Sequence, residues 1–159
     1  YSPLLLRYFY RMLWQDRSRA QDALHDVFVK LIEHTHRVDP ARKFSTWIYS
    51  VAHNLCKNEY RRQTVRLKVM NGHSAEPSVP AHAGASIDRK AFQDALEDVL
   101  GEEGEESRSI VVMRFELEMS FAAIGLVLDL PEGTVKSRLF YLKKRLAQAL
   151  EPYKLIIEK

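Results

Sequence analysis

The sequence predicts an all-α protein built from two small helical domains joined by a flexible linker. Apolar residues recur at three- and four-residue spacing in both halves of the 159-residue chain, which is the period of a helix with one buried face. The alternation of apolar and polar residues that marks a strand is not found. Between the halves, residues 71–80 are rich in Gly, Pro, Ser and Asn, which favour turns and loops.

Three amphipathic helices account for the first predicted domain, residues 1–63. The first has its apolar positions within Leu4–Leu13 and the second within Ala20–Ile32. A capping-box pattern that starts at Ser18 predicts where the second helix begins. An Asp-Pro pair breaks the pattern within residues 36–43, and a third helix starts near Ser45 and ends in basic residues.

The predicted linker covers residues 64–86, and the second predicted domain covers residues 87–152. Within that domain, helices are expected over Ile87–Leu100 and Ser107–Leu117, separated by an acidic loop at Gly101–Glu106. The tail, residues 153–159, follows a proline and carries no prediction of its own.

A helix-turn-helix is predicted over residues 120–150. Ser120 caps a helix over Phe121–Leu128, a tight turn follows, and a second helix runs over Pro131–Leu150. Gly125 allows the two helices to approach closely, and Asp129 stands where the turn needs a positive φ. Five apolar residues are expected to fill the wedge between the helices: Ile124, Leu128, Leu130, Val135 and Leu139. The pattern is typical of a DNA-binding helix-turn-helix, although a plain helical hairpin with a solvated basic face is the alternative.

The outward face of the second helix is the candidate DNA-reading surface. Lys136 and Ser137 can reach base edges, and Phe140 can pack on thymine methyl groups. Arg138 and the lysines further along are better placed for phosphates. The full predicted set is Glu132, Gly133, Thr134, Lys136, Ser137, Arg138, Phe140, Tyr141, Lys143 and Lys144.

Two segments of the chain resemble the bacterial σ70-family initiation factors of the small extracytoplasmic-function (ECF) group. Residues 22–28 (Asp-Ala-Leu-His-Asp-Val-Phe), 44–55 (Phe-Ser-Thr-Trp-Ile-Tyr-Ser-Val-Ala-His-Asn-Leu) and 60–62 (Tyr-Arg-Arg) look like region 2 of that family. Residues 119–124 (Met-Ser-Phe-Ala-Ala-Ile) and 130–139 (Leu-Pro-Glu-Gly-Thr-Val-Lys-Ser-Arg-Leu) look like region 4. The resemblance implies a factor that binds core RNA polymerase, reads the −35 element with region 4 and opens the −10 element with region 2.

Opening the −10 element requires two kinds of side chain near the third helix. Aromatic side chains stack on single-stranded bases, and cations hold the backbone. Trp47 lies on the apolar stripe and is the more ambiguous aromatic, since it also suits the core. Tyr49 lies off the stripe and is the better DNA candidate. The full set implied by the resemblance is Lys43, Phe44, Trp47, Tyr49, His53, Asn54, Lys57, Arg61 and Arg62.

The resemblance also implies protein partners. The polar face of the second helix resembles the surface that docks on the β′ clamp helices of the polymerase, although a solvated helix face has the same composition. Its residues are Asp22, His25, Asp26, Val29 and Glu33. Region 4 is expected to meet the β flap, and an anti-sigma factor is an expected partner of the whole chain.

The charge pattern agrees with a polyanionic partner such as nucleic acid. Residues 1–70 carry 13 Lys and Arg against 6 Asp and Glu, residues 71–107 carry 2 against 9, and residues 108–159 carry 9 against 6. Two basic ends around an acidic middle suit two nucleic-acid surfaces and a connector that avoids them. No apolar run approaches the roughly 18 residues of a membrane helix, so no membrane insertion is expected.

An enzyme is not expected, because neither a metal-ligand motif nor a phosphate-binding loop is found, and we expect no cofactor. His25 and His53 lie on polar helix faces, where a solvated histidine is the usual case. Cys56 borders the apolar stripe and looks like a core thiol of a protein in the reducing bacterial cytoplasm. Two alternatives stay open: a stand-alone helix-turn-helix regulator, and a sigma-like decoy that binds only an anti-sigma factor.

Overall fold

The computed structural model of the chain describes residues 1–70 and 87–153, and within them every regular element is helical. The seven α-helices are α1 Ser2–Met12, α2 Arg17–Glu33, α3 Phe44–Met70, α4 Ile87–Glu102, α5 Gly104–Val111, α6 Phe121–Leu128 and α7 Glu132–Ala149. Short 3₁₀ turns at Thr35–Arg37 and Glu151–Tyr153 and a π turn at Val112–Glu116 complete the described chain. The all-α prediction is confirmed.

Helices α1, α2 and α3 pack around one apolar centre, as the three stripes predict. The buried apolar residues of these helices are Leu5, Tyr8, Phe9, Met12, Ala20, Ala23, Val27, Ile48, Tyr49, Ala52 and Cys56. The turn from α1 to α2 is held by Trp14, which stacks on Tyr60 with ring centroids 4.9 Å apart. The Tyr60 hydroxyl donates to the carbonyl of Met12 at 2.7 Å, which ties the end of α1 to α3.

The capping box at Ser18 is a wrong prediction. Helix α2 begins at Arg17, and Asp16 is its N-cap: the Asp16 carboxylate accepts the backbone N–H of Arg19 at 3.1 Å. Asp is as good a cap as Ser, and here it lies two residues earlier, where the chain leaves the turn.

Helix α3 is longer than the sequence predicts. It continues to Met70, so residues 64–70 of the predicted linker are helical. The last turns are exposed, including Val65, Val69 and Met70, and therefore show no buried stripe from which a helix could be predicted. The rest of the predicted linker lies outside the described residues, and the division into two domains stays a prediction.

The predicted acidic loop at Gly101–Glu106 is also corrected. Helix α4 runs through it to Glu102, and α5 starts at Gly104, whose φ of +80° turns the chain. Three of the four carboxylates have partners on α7, because Arg145 pairs with Glu102 and Glu103 and Arg138 pairs with Glu106. These pairs offset part of the charge repulsion within the acidic run.

The first three helices and the last four share one continuous apolar cluster. Ile110, Met113, Ile124 and Val135 belong to the same group of buried side chains as Tyr8. Helix α3 packs directly against α6, and α1 packs against α5 and the π turn. In the described residues, the two predicted DNA-reading parts therefore lie in contact.

Candidate nucleic-acid interface

The turn between α6 and α7 has the geometry that the sequence predicts. The Ser120 hydroxyl caps α6 by accepting the backbone N–H of Ala123 at 3.1 Å. Asp129 ends α6 in the left-handed region with φ 55° and ψ 47°. A Cβ atom on Gly125 would lie 2.6 Å from the carbonyl oxygen of Leu130, so the helices cross where only glycine fits. The Leu130 N–H donates to the Gly125 carbonyl at 2.9 Å.

The wedge between α6 and α7 is filled as predicted. Ile124 and Val135 are fully buried, and Leu128 and Leu139 are buried beside them. Leu130 is partly buried against the same cluster. With these side chains turned inward, the 3.6-residue period fixes the opposite face of α7 toward solvent.

The outward face of α7 is exposed and carries aromatic and cationic side chains. Phe140 and Tyr141 are each 64% exposed, and their rings meet edge to face with centroids 5.5 Å apart. Lys136 pairs with Glu132 at 2.8 Å and lies over the ring of Phe121. Lys143 lies over the ring of Phe115, 5.3 Å from its centroid. Gly133, Ser137 and Lys144 are also exposed, whereas Thr134 is half-buried.

One predicted phosphate contact on α7 has a different environment from the rest. Arg138 is half-buried, and its guanidinium donates to the Glu106 carboxylate of α5. An arginine held in this way orients α7 on α5, and the donor engaged with Glu106 is not available to a phosphate. Its neighbours Lys143 and Lys144 keep exposed ammonium groups.

In α3 and the loop before it, several predicted −10 residues lie on one accessible side. Phe44 and Trp47 are half-buried and stack with ring centroids 6.0 Å apart. Trp47 and the exposed Asn54 line a cleft of about 290 Å³ between α2 and α3. Further lining comes from Lys30, His34, Val51, Leu55 and Asn58. Lys43, Arg61 and Arg62 are exposed, and Lys57 is half-buried.

Tyr49 and His53 are not exposed, contrary to the prediction from their place off the apolar stripe. Each is only 4% exposed. The Tyr49 ring packs edge to face on Tyr8, with centroids 5.9 Å apart. His53 Nδ1 lies 3.5 Å from the Tyr8 hydroxyl, which also hydrogen bonds to the Ser109 hydroxyl at 2.7 Å. A second layer of helices, which the periodicity of α3 does not show, covers this side of α3.

Burial shifts the titration of the groups in this covered layer. It raises the pKa of Tyr49 to about 12 and raises the pKa of Tyr8 well above its ordinary value, so both phenols stay protonated. Burial also lowers the pKa of His53, and the nearby charge of Lys57 lowers it further. His53 is therefore neutral in this arrangement near pH 7.

The predicted polymerase-binding face of α2 is exposed throughout. Asp22, His25, Asp26 and Glu33 all reach solvent, and Val29 is 38% exposed. Ile32 was assigned to the apolar stripe but is 78% exposed. This face therefore carries one more exposed apolar side chain than expected. Ile32 lies three residues after Val29 and seven after His25, a helical spacing that could have placed it on this face.

Other kinds of site have no support in the part of the chain that the structure describes. Within residues 1–70 and 87–153, no three His, Cys, Asp or Glu side chains gather as metal ligands would. Cys56 is fully buried, and burial raises the pKa of its thiol, so it is not an activated nucleophile. None of the described helices combines the length and apolarity that crossing a membrane requires.

Comparison with known proteins identifies two regions of the chain. Residues 1–66 match the family model for Sigma-70 region 2, and residues 104–146 match the model for Sigma-70 region 4. The chain is 30% identical over 155 residues to the ECF RNA polymerase sigma factor SigL of Mycobacterium tuberculosis, covering 95% of this chain and 85% of that protein. It is 26% identical over 151 residues to the ECF RNA polymerase sigma factor SigW of Bacillus subtilis, covering 87% and 79%.

A solved structure has the same fold. It is the sigma factor RpoE of Bartonella quintana in complex with the anti-sigma factor NepR. The TM-score is 0.72 at 17% identity, and the match covers 94% of this chain and 91% of that one.

Proposed function

The chain belongs to the ECF RNA polymerase sigma factors, and from this premise we propose that it binds core RNA polymerase and directs promoter-specific transcription initiation. The observation that carries the proposal is the helix-turn-helix, in which Gly125 and Asp129 fix the crossing of α6 and α7. The match of residues 1–66 to region 2 leaves a stand-alone helix-turn-helix regulator without an explanation for the first three helices.

Helix α7 is the proposed reader of the −35 element. Its exposed face combines a hydroxyl, an ammonium group and two aromatic rings, and an α-helix fits the major groove of B-DNA. In this proposal Lys136 and Ser137 contact base edges, Phe140 contacts thymine methyl groups, and Lys143 and Lys144 contact phosphates. Arg138 acts mainly by holding α7 against Glu106 of α5.

Helix α3 and the loop before it are the proposed site of −10 melting. The half-buried Trp47 beside an open cleft offers an aromatic face on which an unpaired base can stack. The exposed Lys43, Arg61 and Arg62 supply cations for the strand that carries the base. A base that stacks on Trp47 loses its stacking within the duplex and gains stacking on the protein.

Two protein partners complete the proposal. The exposed acidic and apolar face of α2 docks on the β′ clamp helices of core polymerase, and the carboxy-terminal helices meet the β flap. An anti-sigma factor controls the chain, in keeping with the fold it shares with a sigma factor solved in complex with one. The chain acts in the bacterial cytoplasm, by binding and without catalytic residues.

The test is run-off transcription with purified bacterial core polymerase on a library of genomic promoters, with and without the chain. We expect promoter-specific transcripts that require the chain. The double variant Lys136→Ala/Phe140→Ala should weaken −35 recognition by about 1–3 kcal/mol, because both side chains are exposed on the face proposed to enter the major groove.

The matched control is Lys90→Ala/Gln93→Ala on α4, which removes the same charge from an exposed helix outside the proposed surface. It should transcribe like the parent chain. The absence of both transcripts and binding to core polymerase would instead favour a stand-alone regulator or a decoy that binds only an anti-sigma factor. An unchanged promoter choice in the Lys136→Ala/Phe140→Ala variant would contradict the role of α7.

A further inference from the structure

The last turns of α3 carry a row of cations that leads away from the proposed −10 site. Asn54 lines the cleft between α2 and α3, and Lys57, Arg61 and Lys68 follow it at spacings of three, four and seven residues. Those spacings place all four side chains on one side of a helix. Because α3 is helical without interruption to its last residue, the row is continuous from the cleft to the last turn. The basic residues Lys57, Arg61 and Lys68 are here called the cationic row.

The outer part of the cationic row is exposed, and its charges are not neutralised by the described residues. Nine of the ten residues 61–70 are exposed, and the tenth is half-buried. This stretch holds four basic residues and no acidic one. Arg62 pairs with Glu59 at 2.7 Å, whereas Arg61 and Lys68 have no ion pair within residues 1–70 and 87–153. Two such cations on an exposed helix attract a polyanion from solvent.

The chemistry of α3 changes along its length. The part near the cleft offers the aromatic rings of Phe44 and Trp47, on which unpaired bases can stack. Residues 61–70 contain no aromatic side chain. Cations without rings suit the phosphates of a double helix, which are bound through charge and not through the bases. The outer part of the cationic row therefore fits duplex DNA, beyond the point where the strands are opened.

The exposed apolar residues of the same stretch do not form one face. Val65 and Val69 lie on one side of α3, and Leu67 and Met70 lie on the other. A helix that lies on a membrane surface needs one wide apolar face opposite its charges. The arrangement therefore favours a partner that is recognised by its charge over a lipid surface.

The length of α3 sets how far the cationic row extends from a base that stacks on Trp47. Trp47 and Lys68 are 21 residues apart, which is about 31 Å along a helix. The phosphates of one strand are spaced about 3.4 Å along B-DNA, so this length corresponds to about nine base pairs. In the proposed function α7 reads the −35 element as a duplex, so the DNA that joins the two elements is double-stranded. Lys68 is placed to reach that DNA.

We propose that the cationic row continues from the −10 site onto the duplex that joins the two promoter elements, with Lys68 bound to its phosphates within about ten base pairs of the −10 element. The proposal rests on the proposed function, because the row begins where the −10 element is opened. Contacts of this kind carry no base-sequence information. They position the duplex on α3 and add affinity that falls as the salt concentration rises.

The first test compares Lys68→Ala with Arg66→Ala, each in the full chain bound to core polymerase. Arg66 is exposed on the opposite side of the same turn of α3, so its replacement removes the same charge outside the row. The probe is a fluorescent promoter fragment identified by the run-off assay and titrated at several salt concentrations. Lys68→Ala should weaken promoter binding about threefold to tenfold and reduce the slope of log affinity against log salt by about 0.9. Arg66→Ala should keep the affinity and the slope of the parent chain.

A second test locates the contact on the DNA. One promoter fragment carries uncharged methylphosphonate groups over the first ten or so base pairs upstream of the −10 element, which is about the reach of Lys68. A control fragment carries the same number of these groups upstream of the −35 element. On the neutralised spacer, Lys68→Ala should bind as well as the parent chain, whereas on the control fragment its defect should persist. A defect of equal size on both fragments would overturn the proposal.

Binding to core polymerase in the absence of DNA separates the ways in which the proposal can fail. Both variants should bind core polymerase like the parent chain in fluorescence anisotropy. Weaker binding of Lys68→Ala to core polymerase, or equal losses of promoter affinity in Lys68→Ala and Arg66→Ala, would overturn the role of the cationic row and leave the proposed function in place. A parent chain that forms no promoter-specific complex with core polymerase would contradict the proposed function itself.

Discussion

Gly125 and Asp129 set the angle between α6 and α7 through opposite backbone requirements. At Gly125 the carbonyl of Leu130 leaves no room for a Cβ atom, so the position requires the absence of a side chain. At Asp129 the backbone takes the left-handed conformation while keeping a side chain, which a short polar residue tolerates better than most. The position of the exposed face of α7 depends on both.

Replacing Gly125 by Ala should lower the free energy of unfolding by about 1–3 kcal/mol, because the new methyl group would push against backbone. Denaturant unfolding followed by circular dichroism measures the change. Gly133→Ala is the matched control: a Cβ atom there meets nothing within 4 Å, and alanine favours helix, so stability should stay equal or rise. Equal losses in the two variants would contradict the close approach at Gly125.

At the scale of the helices, the sequence predicts best where the determinants are local. The cap at Ser120, the glycine at the crossing and the apolar wedge all lie within 20 residues of one another, and all three are confirmed. A local pattern can still mislead. At the start of α2 two residues could cap the helix, and Asp16 is the N-cap where Ser18 was expected. Both residue types cap well, so the pattern alone does not choose between them.

Helix α3 shows what periodicity leaves out. One stripe, Ile48 to Cys56, packs on α1 and α2 and is visible as a pattern. The second buried side consists of Tyr49 and His53, which both contact Tyr8 on α1. Tyr8 in turn bonds to Ser109 on α5, some 60 residues further along the chain. No pattern near α3 in the sequence predicts that α5 and α6 pack on this side. The exposed last turns of α3 carry no buried apolar stripe, so the apolar pattern does not predict them.

The exposed face of α2 should bind polymerase through its charges. The reversal Asp22→Lys/Asp26→Lys should weaken binding to core polymerase about tenfold or more, since like charges then oppose across the interface. Both residues are exposed, so the fold should survive. Fluorescence anisotropy of a labelled chain titrated with core polymerase measures the affinity.

A matched control for this reversal exists on α4. Asp94 and Asp98 are also exposed and have the same four-residue spacing, so Asp94→Lys/Asp98→Lys changes the net charge equally. That variant should bind core polymerase like the parent chain. If both reversals weaken binding to the same extent, overall charge and not the face of α2 governs the affinity.

At the scale of the whole molecule, the interface between the first three helices and the last four encloses a titratable group. His53 faces Tyr8 of α1, Lys57 of its own helix, and Glu105 and Glu106 of α5. Burial and Lys57 lower the pKa of His53 more than the two carboxylates raise it. The folded molecule therefore takes up a proton at this site less readily than the unfolded chain does.

The folded molecule should accordingly lose stability as the pH falls below about 6.5, where the histidine of the unfolded chain takes up a proton that the folded chain does not. The loss attributable to His53 is at most about 1.4 kcal/mol per pH unit. Denaturant unfolding at pH 7.5 and 5.5 measures it, with His53→Gln as the variant that keeps a polar side chain but does not titrate. The parent chain should lose more stability than His53→Gln over this range, because only the parent chain carries the buried histidine. Equal losses in the two chains would mean that the covering of His53 by α5 does not depend on its charge.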